Sequence, residues 1–279
     1  MVGIVDVGGG ERGVYGAGVL DRCMEMGVRF DCCVGVSAGA ANLVSYMAGQ
    51  KGRNFAFYYE YSFRKQYMSP GLLAKTGSYV DLEYIYGTLS NSDGEYPLDW
   101  QAMVDSGITL SVVAADAMTG RPVYFPMDVM SQDDYSAVKA SSALPLACKP
   151  YPVDGRLCFD GGIADPVPVN HAFSLGCDRV VLVLTRPLSS RRDPKKDALG
   201  ARMLARSYPR AAEALANRAD LYNFEVDQAK RYQEEGKLLI VAPDDIGKMD
   251  TLTKDKSAIA DLYAKGYADA AAIESFVRS

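Results

Sequence analysis

A serine flanked by glycines is the first feature of this sequence that can do chemistry. Residues 35–39 read Gly-Val-Ser-Ala-Gly and fit the pattern GxSxG, with Ser37 at the centre and Gly35 and Gly39 on either side. In that pattern the serine occupies a sharp turn from a strand to a helix, and the glycines relieve the crowding of the turn. The positive end of the following helix favours the anion that forms when a hydroxyl attacks a carbonyl. Ser37 is therefore a candidate nucleophile, and a tight turn used only for packing is the alternative.

A glycine-rich loop joins the first predicted strand to the first predicted helix. Residues 8–13 read Gly-Gly-Gly-Glu-Arg-Gly, and their N–H groups are expected at the same sheet edge as Ser37. Acyl transfer needs such donors for the oxyanion of the tetrahedral intermediate, and losing one costs about 3 kcal/mol of barrier. A nucleotide-binding loop is the alternative, but GxGxxG is matched only loosely and GK[ST] is missing. The candidate donors are Gly8, Gly9, Gly10, Glu11 and Arg12.

A carboxylate follows another predicted strand, in the sequence Asp160-Gly161-Gly162. The two glycines allow a sharp turn that leaves Asp160 at the end of the strand. A carboxylate there can act as a general base if burial raises its pKa from about 3.9 toward the working range. The alternative is a solvent-exposed turn, which is a frequent environment of Asp-Gly.

These elements, in this order, resemble the patatin-like phospholipases, a family of serine acyl hydrolases with a Ser-Asp dyad. The resemblance runs through the glycine loop, the GxSxG turn, the block Ala-Ser-Ser-Ala-Leu-Pro at residues 140–145, and the Asp-Gly-Gly turn with Pro166 and Pro168 after it. Its motifs cover about the first 185 residues. The chain departs from the family at Asp165, where the family often has asparagine.

The resemblance implies roles for the motif residues. It makes Ser37 the nucleophile, Asp160 the base and residues 8–12 the oxyanion hole, so that neither a metal nor an organic cofactor is needed. The implied substrate is a lipid or other fatty-acyl ester, cleaved as by a phospholipase A, a lysophospholipase or an esterase. Two other classes stay open: a catalytically weak lipid- or acyl-binding regulatory protein on the same fold, and a nucleotide-binding protein.

The single histidine, His171, allows a second serine mechanism. Ser37, Asp160 and His171 follow the chain order of an α/β-hydrolase triad. The serine turn, however, comes after only the second predicted strand, and His171 lies soon after Asp160 at the start of a predicted helix. We therefore interpret His171 as a structural residue, and a dyad needs no imidazole.

Short apolar runs distribute strands along the whole chain. Two strand–turn–helix units within the first 50 residues indicate a parallel core, and Asp154-Gly155 indicates a hairpin turn. We expect one domain over residues 1–279, with a three-layer α/β/α fold and a mixed, largely parallel sheet. The predicted strands are residues 3–6, 32–36, 108–115, 122–125, 151–153, 156–159, 180–184 and 238–241.

An aromatic-rich segment at about residues 53–90 separates the first two units from the third strand. It predicts a cap over the sheet or a wall of a pocket, and it could contact acyl chains or a membrane interface. A cap helix packed on the core is the alternative. Further on, a loop is predicted at residues 189–197, helix over most of 198–231, and helix over 251–276 with an interruption near Gly266.

Composition and charge exclude several kinds of partner. The 279 residues carry 30 Lys and Arg against 35 Asp and Glu, so the net charge of -5 gives no general footprint for nucleic acid. No stretch reaches the roughly 20 apolar residues of a transmembrane helix. We expect a cytoplasmic protein with no nucleic-acid partner and at most transient, peripheral membrane contact. A local basic patch remains at Arg191, Arg192, Lys195 and Lys196.

The six cysteines and the single histidine indicate neither disulfides nor a metal site. Cys32 and Cys33 are adjacent, and no CxxC pair occurs, so free and mostly buried thiols are expected. One histidine cannot supply most zinc sites.

Overall fold

One mixed sheet of eight strands organises the computed structural model, which describes residues 1–278. The order across the sheet is β5-β6-β3-β2-β1-β7-β8, with β4 paired to β3. Strands β4 and β6 run antiparallel to β3, and β5 runs antiparallel to β6. All eight predicted strands are present, and the sheet is mixed and largely parallel as predicted. The strands are β1 (Val2–Asp6), β2 (Cys32–Val36), β3 (Thr109–Asp116), β4 (Pro122–Pro126), β5 (Tyr151–Val153), β6 (Arg156–Asp160), β7 (Arg179–Val183) and β8 (Leu238–Val241).

Helices cover both faces of the sheet. Along β1, Ile4 belongs to a core formed with α1, α2 and α10, whereas Val5 belongs to a core formed with α7 and α9. This alternation buries β1 on both faces, as expected of a parallel strand. The three-layer α/β/α prediction is confirmed. The helices are α1 (Val14–Glu25), α2 (Ala38–Met47), α3 (Arg53–Tyr59), α4 (Pro70–Thr76), α5 (Trp100–Asp105), α6 (Ser136–Ser141), α7 (Val169–Ser174), α8 (Lys195–Leu204), α9 (Pro209–Glu234), α10 (Lys256–Asp269) and α11 (Ile273–Arg278).

Strand β3 brings two distant chain segments together. It pairs with β2 in parallel up to Val36 opposite Val113, and with β6 in antiparallel from Asp160 opposite Ala114. Because β4 occupies the other edge of β3, the carboxyl ends of β2 and β6 meet along one edge. The residues that follow Val36 and those at Asp160 are therefore neighbours in space.

Two boundary predictions for the C-terminal third are wrong. The predicted loop at residues 189–197 ends early, because α8 already begins at Lys195. The predicted interruption near Gly266 is a continuous part of α10. A Cβ at Gly266 would lie 2.1 Å from the carbonyl oxygen of Tyr15 in α1. This glycine therefore allows close packing of two helices rather than breaking one.

The aromatic segment at residues 53–90 folds as short helical pieces. Besides α3 and α4 it contains a π-helical turn at Tyr84–Thr88. The buried guanidinium of Arg53 ties the segment to the core, since Nη1 donates to Ser45 Oγ at 3.0 Å and Nη2 donates to Ser90 Oγ at 2.8 Å.

All six cysteines are buried and free, as predicted. Among residues 1–278, no helix combines the length and apolar character needed to cross a bilayer. The same residues contain no group of three His, Cys, Asp or Glu side chains that could hold a metal ion.

Candidate active site

Ser37 lies in a strained turn between β2 and α2. Its backbone has φ 57° and ψ -131°, in the positive-φ region that residues other than glycine rarely adopt. The glycines beside it are required by close contacts: a Cβ at Gly35 would lie 2.4 Å from Ala40 Cα, and one at Gly39 would lie 2.1 Å from Asp6 O. The turn therefore exposes the hydroxyl of Ser37 at the carboxyl edge of the sheet.

A second serine fixes this turn. Ser141, at the end of α6, is fully buried and donates from Oγ to Val113 O at 2.6 Å. The same Oγ accepts the N–H of Ser37 at 2.7 Å. Ser141 thus links β3 to the strained residue at the point where β2 ends. The sequence alone indicated no role for Ser141 within the block at residues 140–145.

Asp160 ends β6 and is 5% exposed. Its Oδ1 accepts the N–H of Gly162 at 2.8 Å, which fixes the carboxylate at the start of the turn. Burial raises the pKa of Asp160, and hydrogen bonds from Ser37 and Gly162 offset part of that rise. Gly161 is required here because a Cβ would lie 2.2 Å from Val113 O. The structure therefore brings Ser37 and Asp160 together.

The glycine loop packs directly against the serine turn. Gly8, Gly9 and Gly10 have φ values of 60°, 120° and 61°, which favour glycine. A Cβ at Gly8 would lie 2.4 Å from Val36 O, so the loop and the turn are in van der Waals contact through the backbone. This contact places the loop beside Ser37, at the edge where the sequence analysis expected it.

The five predicted donors of the loop are not equivalent. The N–H of Gly8 donates to Asp6 Oδ1 at 2.9 Å, and the N–H of Glu11 donates to Thr251 O at 3.0 Å. Within residues 1–278, no hydrogen bond occupies the N–H groups of Gly9 and Gly10. These two groups remain available to a ligand.

The side chains of Glu11 and Arg12 are both buried. Burial raises the pKa of Glu11 to about 8, and Lys254 partly opposes the rise. Arg12 donates from Nη1 to Asp250 Oδ1 at 2.9 Å and to Thr251 Oγ1 at 3.0 Å. Arg12 therefore anchors the loop to the segment that precedes α10.

The glycine loop is held by a buried aspartate, Asp6, which was not a candidate site residue in the sequence. Asp6, at the end of β1, accepts the Gly8 N–H and also a bond from Asn42 Nδ2 at 3.0 Å. Asn42 in turn donates to Gly13 O at 2.9 Å and accepts from the hydroxyl of Tyr58 at 3.1 Å. Burial raises the pKa of Asp6 to about 6. The network joins the glycine loop, α2 and the aromatic segment.

Ser37, Asp160 and the glycine loop line one cavity of about 280 Å³. The aromatic segment forms one of its walls, which makes much of the lining apolar. The other side is formed by residues that follow β7 and by α9. The wall residues from the aromatic segment include Phe57, Tyr58, Tyr67, Met68, Ile85 and Tyr86.

His171 and Asp165 lie in a different cavity, on the other side of the Asp160 turn. His171 Nε2 is 2.9 Å from Ser111 Oγ, and its ring stacks on Tyr124 with the centroids 3.7 Å apart. Asp165 accepts the hydroxyl of Tyr124 and neighbours Glu225. This arrangement does not bring His171 to Ser37, so the triad alternative lacks its base.

The three-layer fold, the half-buried Ser37 and the buried Asp160 define a class, an α/β protein with a strained serine turn beside a carboxylate. Residues 7–173 match the family model of the patatin-like phospholipases, and residues 208–275 match a domain of unknown function, DUF6363. The first match spans more than half of the chain. The chain belongs to the patatin-like phospholipase family.

Known proteins similar to this chain include bacterial relatives and one solved structure. The uncharacterized protein YjjU of Escherichia coli K12 is 29% identical over 191 residues, which cover 67% of this chain and 52% of YjjU. The uncharacterized NTE family protein Rv1063c of Mycobacterium tuberculosis is 35% identical over 94 residues, which cover 33% of this chain and 24% of the relative. The chain thus spans about half the length of YjjU and about a quarter of Rv1063c.

The solved structure is that of VipD from Legionella pneumophila. The alignment covers 99% of this chain and 66% of VipD, with 15% identity and a TM-score of 0.47.

Proposed function

We propose that this chain is a serine acyl hydrolase that cleaves carboxylic ester bonds of lipids, with Ser37 as nucleophile and Asp160 as base. The observation that carries the proposal is the shared cavity, in which a strained serine lies beside a buried carboxylate whose pKa burial raises. Membership of the patatin-like phospholipase family supports the same reaction class. The activity would be of the phospholipase A, lysophospholipase or esterase type.

The proposed reaction has two steps. Ser37 Oγ attacks the ester carbonyl carbon while Asp160 accepts the hydroxyl proton, and the C–O bond breaks as that proton passes to the leaving alkoxide. Water then attacks the acyl-serine ester, with Asp160 again accepting the proton and returning it to Ser37 as the carboxylic acid leaves. Burial supports the role of Asp160, because its raised pKa makes the carboxylate a stronger base.

The proposed oxyanion hole contains fewer N–H donors than the five expected from the sequence. The N–H groups of Gly8 and Glu11 already have protein acceptors, so we assign the hole to Gly9 and Gly10. The side chain of Arg12 anchors the loop that presents these donors.

The apolar wall of the cavity supports an acyl chain as the group bound beside Ser37. Phe57, Met68 and Ile85 offer the kind of lining that ligand sites use for apolar groups. Such a substrate would be reached at a membrane surface or as a dispersed lipid, which agrees with transient peripheral contact. No cofactor enters the proposed steps.

The test is hydrolysis of p-nitrophenyl esters of increasing acyl length by wild type, Ser37→Ala and the control Ser174→Ala. Ser174 is an exposed serine of α7 that lies outside the cavity of Ser37. We expect turnover by wild type and by Ser174→Ala, and a loss of at least about a hundredfold in Ser37→Ala. Circular dichroism checks that each variant is folded.

An inactive wild type, or a folded Ser37→Ala variant as active as wild type, would contradict the hydrolase proposal. The regulatory alternative would then be examined by lipid binding without turnover. The chain-length preference of an active enzyme would begin to define the substrate.

A further inference from the structure

Four arginine side chains gather at one side of the Ser37 cavity, and the proposed reaction uses none of them as an acid, a base or a nucleophile. Arg12 comes from the glycine loop, Arg186 and Arg192 from the segment between β7 and α8, and Arg218 from α9. All four line the same cavity as Ser37 and Asp160. Three separate stretches of backbone therefore converge to place positive charge beside the active site.

The cluster holds more positive charge than its carboxylates neutralise. Asp250 pairs with Arg12, and Asp197 pairs with Arg218 and more distantly with Arg192 at 3.9 Å. Arg186 forms no ion pair within residues 1–278. Asp160 lies in the same cavity, where Arg218 and Arg192 lower its pKa, so four guanidinium groups face three carboxyl groups. The cluster therefore keeps an excess of at least one positive charge.

Two of these arginines also carry buried donors without acceptors. The Nε atoms of Arg12 and Arg186 are shielded from solvent and have no hydrogen-bond partner in the described part of the chain. Leaving a buried charged donor unpaired is costly, so such groups are normally matched by an anion. Arg12 itself is 4% exposed, so solvent compensates little.

The arginines of the cluster lower the pKa values of one another's guanidinium groups. Burial lowers the pKa of Arg12 to about 10, and the nearby guanidinium of Arg186 contributes. Burial also lowers the pKa of Arg192 to about 10, with Arg218 contributing. Both side chains stay protonated at neutral pH, where an anion between them would relieve the repulsion.

The α9 helix, in the region that matches the domain of unknown function, holds Arg192 in place. The guanidinium of Arg192 lies 5.5 Å from the ring centroid of Tyr222. Asn223 accepts the backbone N–H of Arg192 at 2.9 Å and donates to its carbonyl oxygen at 3.0 Å. The region at residues 208–275 therefore completes this side of the cavity and orients a charged residue there.

The position of the cluster relative to Ser37 follows from the order of the strands. Ser37 follows β2, the glycine loop follows β1, and Arg186 follows β7, in adjacent strands. At about 4.8 Å per strand, Arg186 begins about 10 Å from Ser37 along the sheet edge. The Nη2 atom of Arg12 lies between them, 3.0 Å from where a Cβ of Gly9 would be.

We propose that Arg186 and Arg192, together with Arg12, bind a phosphate group that the lipid substrate carries a few bonds from the ester cleaved at Ser37. The proposal rests on the proposed hydrolase function and adds a recognition site to it. A phosphate suits the site because guanidinium groups bind its oxygens through paired N–H donors. An ester carbonyl at Gly9 and Gly10 would leave the phosphate facing the arginines and the acyl chain facing the aromatic wall.

The first test compares two esters with the same acyl chain, an acylglycerol phosphate and the neutral monoacylglycerol. The measured quantity is the ratio of kcat/KM for the phosphate ester to that for the neutral ester. We expect a ratio well above one in wild type, reduced about tenfold or more in Arg186→Gln and in Arg192→Gln. The control Arg191→Gln removes an exposed arginine that pairs with Asp227 outside the cavity, and the ratio should persist.

A second measurement separates this proposal from the hydrolase proposal. Binding of decyl phosphate, decanol and inorganic phosphate to Ser37→Ala protein is measured by calorimetry, with and without Arg186→Gln. Arginine-dependent, preferential binding of decyl phosphate would support the site even if no ester were hydrolysed. Equal binding of decyl phosphate and decanol would overturn it even if Ser37-dependent hydrolysis were found. Inorganic phosphate binding as tightly as decyl phosphate would overturn the lipid head group as the ligand.

Discussion

The turn from Asp160 to Asp165 carries a buried carboxyl group at its first residue and a half-buried one at its last, and the two groups face different cavities. Burial raises the pKa of both. Asp160 meets the strained Ser37 and the N–H of Gly162, whereas Asp165 meets the hydroxyl of Tyr124 and the carboxyl group of Glu225.

A carboxyl group with a perturbed pKa therefore acquires its role from its neighbours rather than from burial alone. Burial, and then the charge of Asp165, raises the pKa of Glu225 to about 9, so this pair retains a proton at neutral pH. A proton shared between the two carboxyl groups replaces the repulsion of two negative charges by a hydrogen bond. Asp160 instead shares its cavity with Ser37, the proposed nucleophile.

Replacing each of the two carboxyl groups by an amide should give the largest difference in kcat. Asp160→Asn should lower kcat for a p-nitrophenyl ester by at least about a hundredfold, because the base is lost while the amide still accepts the Gly162 N–H. Asp165→Asn should change kcat by less than about threefold, since its partners lie in the other cavity. Steady-state kinetics on the two folded variants checks the comparison.

Thermal unfolding provides the control for Asp160→Asn. The folded pKa of Asp160 is raised, so its stability contribution is complete below the unfolded value of about 3.9 and is lost as pH rises through the folded value. The asparagine variant should therefore melt at or above the wild-type Tm at pH 7, with the gain disappearing toward pH 4. An inactive variant that melts well below wild type at pH 7 would mean that Asp160 is chiefly structural.

An intermediate effect is expected from the serine that positions the turn. Ser141→Ala removes the donor to Val113 O and the acceptor of the Ser37 N–H, so the strained turn relaxes. We expect kcat to fall about tenfold with little change in KM, and the free energy of unfolding to fall by about 1–3 kcal/mol. Ser136→Ala, at the start of the same helix, is the matched control. Unchanged kcat in a destabilised Ser141→Ala protein would restrict Ser141 to a structural role.

Local patterns in the sequence were sufficient for the strands and for the turns that follow them. The run before Gly8 and the run before Ser37 are short and apolar, and each ends at glycines that the backbone needs there. A parallel sheet places the carboxyl ends of such strands at one edge, so the nearness of the glycine loop and Ser37 could be anticipated. At Gly266 the same reasoning failed, because helix packing rather than local propensity determines that glycine.

Contacts between distant segments could not be predicted from local patterns. Asp6 and Asn42 are ordinary polar residues in the sequence, and only the fold makes them the support of the glycine loop. Arg192 looked like part of an exposed basic patch with Arg191, yet the two separate in the structure. Arg191 is exposed and paired with Asp227, whereas Arg192 lines the cavity.

The smallest effect on kcat is expected for a substitution of His171, which lies in the second cavity. We expect His171→Gln to retain kcat within about threefold of wild type, because the ring contacts Ser111 and Tyr124 rather than Ser37. The base in the proposed reaction must be ionised, so kcat/KM should fall as pH drops through a pKa above the usual 3.9 or so of aspartate. That acid limb should be the same in wild type and His171→Gln. A limb that shifts or vanishes with the histidine would assign the proton transfer to His171 and remove the distinction between the two cavities.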